Sequence, residues 1–184
     1  MIILTAGHTG VHTGAQCAET HFDEGAENIW LRNRIAEILT NKYNLIVLID
    51  EDNASLSLVT KQINENATTK DIVIDLHFNA HINPQARGTE TIVADDATIL
   101  ELRFASRLAH ATAEALEIPL RSIKSETQTP HRRLAMLHLT PQSIILEICF
   151  CTSPDDVKQY RQHREHLANT LAHNITLLLD RKAR

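Results

Sequence analysis

At 184 residues, 43% of them hydrophobic and 22% charged, the chain has enough apolar material for one cored domain and too little length for two. A formal net charge of −5 without a strongly basic block argues against a nucleic-acid partner, because that binding rests on Lys and Arg neutralising phosphates. No apolar run reaches transmembrane length and the opening MIILTAGHTG lacks the charged n-region of a secretory leader, so cytoplasmic synthesis without membrane insertion is expected.

The first element is a buried strand, Ile2 to Thr5, running into a loop at Ala6-Gly7. Residues 24–41 carry Trp30, Leu31, Ile35, Ile38 and Leu39 at helical spacing, with acids in the first turn where the helix dipole favours them. A strand at Leu45–Ile49 and a helix from about Ala54 to Thr68 follow, then a β-branched strand at Ile72–His77. Gly88–Ala94 alternates as a strand, and 97–116 forms a second long amphipathic helix. Residues 119–142 hold three of the five prolines and read as irregular. Ser143–Cys149 is another buried strand, and a helix from about Tyr160 to Leu179 closes the chain. Alternating strands and helices predict a single α/β domain spanning 1–184, its mixed, largely parallel sheet covered by helices on both faces.

In open sheets of this kind, chemistry collects at the carboxyl ends of strands. Here the first strand leads into Gly7-His8, the third carries His77 near its end, and the last holds Glu147 among Ile, Leu and Cys. A single histidine in such a place is more often a loop or core residue than a ligand. Glu147 is harder to dismiss, since an unpaired carboxylate in an apolar strand is costly; a metal, its water, or Arg132 or Arg133 are the candidate partners. Glu24 opens the first helix, where an acid that merely complements the dipole is the plain explanation. Two histidines and one glutamate would nonetheless meet the needs of a catalytic zinc ion, with a fourth position left for water.

The order of these motifs resembles the zinc-dependent N-acetylmuramoyl-L-alanine amidases of the amidase 3 type, from Ile2 to about Leu179. I-I-L-T-A-G-H-T-G-V-H-T-G-A (2–15) is similar to that family's strand, Gly-His-Gly-Gly and following Gly-Ala. Glu24 with Asn28 four residues on matches its Glu and Asn; D-L-H-F-N-A (75–80) its S-x-H-x-N-A; R-G-T-E-T (87–91) its R-G-x-x-T. S-I-I-L-E-I-C-F-C-T-S-P-D-D (143–156) resembles the stretch with the family's catalytic Glu. Departures fall at Thr9, His12, Leu48-Ile49-Asp50 in place of Leu-Thr-Arg, Lys61 and Asn66, and Cys149, none at an implied ligand.

The resemblance implies zinc held by His8, Glu24 and His77, and Glu147 as general base in cleavage of the amide joining the lactyl group of N-acetylmuramic acid to L-alanine of the stem peptide. The substrate is then peptidoglycan or a muropeptide, with Arg132, Arg133 and Asn79 as substrate-binding candidates. A phage or prophage lysin, made in the cytoplasm and released to the wall, is the simplest setting. Three rivals remain: a silent glycopeptide-binding module, a zinc peptidase of the same architecture, and a cysteine hydrolase. The last would use Cys149 or Cys151 with one of the histidines, Cys149 being the one that alternation places on the strand face of Glu147; both of them and Cys17 otherwise read as free thiols.

Overall fold

A computed structural model describes residues 1–8, 14–17 and 20–182; Thr9 and His12, where the sequence departs from the family pattern, lie outside them. In chain order the elements are β1 (Ile2–Ala6), β2 (Gln16–Cys17), β3 (Phe22–Asp23), α1 (Glu24–Tyr43), β4 (Val47–Ile49) and α2 (Leu56–Asn66). They continue with β5 (Ile72–Asn79), β6 (Thr89–Val93), α3 (Ile99–Leu116), β7 (Leu120–Ser125), β8 (Gln142–Phe150) and α4 (Pro154–Lys182).

The helices start where side chains can satisfy their free amides. Asp23 accepts from Ala26 N before α1, Ser55 from Leu58 N before α2, and Thr98 with Glu101 forms a reciprocal capping box on α3. The last helix begins at Pro154, six residues before the expected Tyr160. Proline suits the first helical position, and Ser153 Oγ accepts from Asp156 N at 3.3 Å. Asn44 and Glu117 end α1 and α3 in the left-handed region.

Six strands form one sheet in the order β4-β1-β5-β8-β6-β7. The first four are mutually parallel, β6 runs antiparallel to β8, and β7 parallel to β6. β2 and β3 make a small antiparallel pair beside α1. The segment expected to be irregular contains β7: its sequence, LRSIKS, is mostly polar and largely exposed, so an edge strand there carries no hydrophobic pattern.

Alternation along the strands builds two faces. Ile2, Leu4, Ile72, Ile74, Ile144 and Leu146 point toward α1, α3 and α4 and form the main core with Leu31, Ile35, Phe104, Leu108 and Leu171. The opposite face is covered by α2 alone, through Val59 and Ile63 on Ile3 and Val73, joined by Met136 from the loop before β8. Helices therefore lie on both faces, three against one. The chain leaves β1 for the β4 edge and returns on the other side as β5, whose own connection runs on toward β6, so the connections after β1 and β5 diverge although the two strands stay paired. That divergence opens the crevice where ligands of such sheets bind.

Candidate metal centre

Just past β1, Gly7 N donates to Leu76 O at 2.7 Å, and Asn28 Nδ2 donates to Gly7 O at 2.6 Å. The strand end is thus fixed between β5 and α1. A Cβ at Gly7 would lie 2.2 Å from two atoms of the His77 ring, so this close approach excludes a side chain. His8 follows in the left-handed region at φ 60°, which histidine tolerates better than most residues. Its ring stands edge-on to that of His77, centroids 5.3 Å apart. Asp50, which replaces an arginine of the family pattern, anchors the same strand end. It accepts from Ala6 N at 3.1 Å and pairs with the buried Arg32 at 2.8 Å.

Glu24 is buried, and both of its oxygens are spoken for. Oε2 accepts from Ala15 N at 2.7 Å; Oε1 accepts from Phe78 N at 3.1 Å and lies 3.4 Å from His77 Nδ1. Burial works against its charge, but the bonds from His77, Ala15 and Phe78 hold its carboxyl below the usual range. On the other side of the ring, His77 Nε2 meets Asp75 Oδ2 at 3.1 Å, and Asp75 Oδ1 accepts from Thr5 Oγ1 at 2.7 Å. Burial would push the His77 imidazole down; the carboxylates of Asp75 and Glu24 raise it well above its ordinary value.

Donor atoms of His8, Glu24 and His77 all lie within 4.8 Å of one another. Glu147 stands beside them, since parallel register pairs His77 with Glu147 across β5 and β8. Its Oε2 is buried with no hydrogen-bond partner among the described residues. Burial pushes the Glu147 carboxyl up to about 7; His77 opposes the rise, while Glu24, Glu90 and Asp75 add to it. Two imidazoles, a pinned carboxylate and a buried carboxyl oxygen lacking a partner suit a borderline cation with nitrogen and oxygen ligands and a reactive water.

The remaining candidates sit apart from that group. Asn79 ends β5, donating from Nδ2 to Glu90 Oε1 at 2.7 Å and accepting from Ala80 N at 2.8 Å. Arg132 and Arg133 are exposed in the loop before β8, which is fastened by Glu126 accepting from Leu134 N and His138 Nε2, both at 2.8 Å. Cys149 does not share the face of Glu147. The β5–β8 register slips after Glu147, and the extra residue turns Cys149 into the main core, fully buried. Burial first, then Asp156 and its other neighbours, raise that thiol well above its ordinary value, the opposite of an activated nucleophile. Asp75, which meets the His77 ring, reads in the sequence only as one polar interruption of a strand.

The sequence profile of the N-acetylmuramoyl-L-alanine amidase family matches residues 2–177. No curated protein matches the chain. Among solved structures, an N-acetylmuramoyl-L-alanine amidase from Clostridium difficile 630 is 19% identical with a TM-score of 0.81, covering 97% of this chain and 96% of the other. The amidase AmiC2 of Nostoc punctiforme is 19% identical at TM-score 0.80, with 97% and 96% covered. The catalytic domain of the CD27L endolysin, which targets Clostridia difficile, is 22% identical at 0.74, with 95% and 96% covered. These likenesses extend the fold over the whole domain, and the profile match settles its kinship: the chain belongs to the N-acetylmuramoyl-L-alanine amidase family, hydrolases that act on peptidoglycan.

Proposed function

We propose that this amidase is zinc-dependent, with His8, Glu24 and His77 as ligands and Glu147 as general base. The observation that carries the reading is the convergence of the three donor groups within 4.8 Å, next to a buried carboxyl oxygen with no partner. A zinc ion held there supplies a Lewis acid that polarises the scissile carbonyl and brings a bound water's pKa near neutrality.

The chain's own residues do the rest. Ala15 N and Phe78 N hold the Glu24 carboxylate in one orientation, and Asp75 fixes the ring of His77 from behind. Glu147 Oε2 takes a proton from the attacking water and returns it to the leaving nitrogen of L-alanine, completing hydrolysis of the lactyl–alanine amide. Arg132 and Arg133 are exposed, with neither in an ion pair among the described residues, which suits contact with substrate carboxylates. Asn79, whose amide donates to the carboxylate of Glu90, is the third candidate for substrate binding. No helix among the described residues is long and apolar enough to cross a membrane. Release to the wall as a phage or prophage lysin is the setting we favour, and the likeness to an endolysin catalytic domain supports it.

Incubation with purified sacculi tests the reading. Mass spectrometry should find stem peptides with a free L-alanine amine and intact glycan strands, a chelator should stop their release, and added zinc should restore it. Fragments cut within the peptide would instead identify a peptidase on the same scaffold.

A further inference from the structure

The row of site residues does not end at Glu147. Across β5, β8 and β6, His77 pairs with Glu147 and Glu147 with Glu90, so the three side chains share one face of the sheet. Glu90 is buried, its side chain 2% exposed, beneath two cations: Arg121 Nε and Lys124 Nζ each lie 2.8 Å from its carboxylate. Asn79 Nδ2 supplies a third donor at 2.7 Å.

Arg121 and Lys124 are three residues apart on β7, a spacing that in a regular strand sends side chains to opposite faces. An irregularity brings them together. Thr89 pairs with Leu120 but Thr91 pairs with Ile123, so β7 spends one residue more than β6 over this stretch. Such bulges re-aim side chains. The guanidinium of Arg121 is also seated 5.0 Å over the ring of Phe150 and donates to Arg87 O at 3.2 Å, which holds its fork in place.

One cation would neutralise Glu90; there are two, and both face outward, with 37% and 30% of their side chains exposed above a buried carboxylate. The cluster therefore keeps one positive charge, preorganised two strands from the general base. At roughly 4.8 Å per strand, that is about 10 Å away at the backbone, and closer at the tips of the side chains that lean toward Glu90. An extended peptide covers at most about 3.5 Å per residue.

Resting on the amidase reading above, we propose that Arg121 and Lys124 form a carboxylate-recognition subsite for the stem peptide. It takes a free carboxylate carried within about two residues of the cleaved amide, a span set by chain reach. Glu90 serves as the buried counter-charge that positions the pair.

The test compares two N-acetylmuramoyl peptides that differ only in whether the residue after L-alanine bears its α-carboxyl free or as a carboxamide. Zinc-loaded wild-type protein should prefer the carboxylate by roughly tenfold or more in kcat/KM, chiefly through KM, as a charge-assisted bond lost from one partner implies. In Lys124→Met, which leaves Glu90 paired with Arg121 and Asn79, and in Arg121→Gln, that ratio should fall toward one. A wild-type ratio near one would overturn the subsite while leaving the amidase reading intact. So would variants that slow both substrates in proportion, the mark of a purely structural pair. Calorimetric binding of the two free stem peptides separates the readings: if neither substrate is cleaved yet the carboxylate peptide binds more tightly, the subsite stands and the amidase reading fails. Equal binding overturns the subsite.

Discussion

Asp75 Oδ2 lies 3.1 Å from Nε2 of His77, at the ring nitrogen opposite the one that faces Glu24. On the zinc reading proposed above, the contact leaves Nδ1 as the nitrogen that would meet the cation, and Thr5 Oγ1, donating to Asp75 at 2.7 Å, keeps the carboxylate from rotating. Carboxylates behind a ligand histidine typically tune metal affinity by about 10–100-fold. Asp75→Asn should weaken zinc binding by that order, measured by competition with a chromophoric chelator, while the circular dichroism spectrum stays unchanged. Unaltered affinity would show that Asp75 supports the strand and not the ligand.

Gly7 offers a second handle on the same ring. Its missing Cβ is the space in which two His77 ring atoms sit, 2.2 Å from where that carbon would stand. Gly7→Ala should displace the imidazole, costing at least about tenfold in zinc affinity by analogy with the loss of a supporting contact. Melting temperature should fall less than it does for a core truncation such as Leu31→Ala, whose cost is about 2–5 kcal/mol. A variant with wild-type zinc affinity would mean the ring has room to shift without consequence.

The thiols provide a test that excludes an alternative chemistry. Cys149 and Cys151 are buried, and burial, with acidic neighbours, pushes the Cys151 thiol up to about 12 and raises that of Cys149 well above its ordinary value. Cys17 is part-exposed. Titration of the folded protein with a thiol reagent should therefore modify Cys17 and spare the other two until denaturant is added, with wall digestion retained. Rapid modification of Cys149 accompanied by loss of digestion would revive the cysteine-hydrolase reading.

How far the sequence reached follows from where each residue's signal lies. His77 and Glu147 stand out because a titratable group in an apolar strand is conspicuous, and His8 because it follows a strand directly. Glu24 as a ligand rests on the family resemblance, since an acid at a helix start has an ordinary explanation; its bonds to Ala15 and Phe78 suit a carboxylate held in one orientation. Alternation misplaces Cys149 because it assumes an unbroken register, and the slip after Glu147 breaks it. Arg121 and Lys124 were invisible for a related reason. Their strand has no hydrophobic pattern, and it is a bulge that aligns them.

Acid stability can be read at Asp71, which closes the turn before β5. Burial disfavours its charge, but the Met1 ammonium at 2.5 Å and the amide and hydroxyl of Thr68, both at 2.8 Å, hold its carboxyl down at about 2. A folded-state pKa below the unfolded value near 3.8 means stability present above that value and lost as pH falls toward 2. Asp71→Asn should lower the urea midpoint at pH 6, and the difference from wild type should shrink between pH 4 and about pH 2. A gap independent of pH would assign the effect to the side chain's shape and not to its charge.

The central claim is that Glu147 does chemistry beside a cation that other residues hold. Glu147→Gln keeps the size of the side chain and removes its capacity to accept a proton. Zinc content, melting temperature and turnover on sacculi should be measured on this one variant. The account predicts about one zinc per chain, a melting temperature equal to or above that of the wild type, and turnover lower by on the order of a hundredfold or more. Near-normal turnover per folded, zinc-loaded molecule would contradict it.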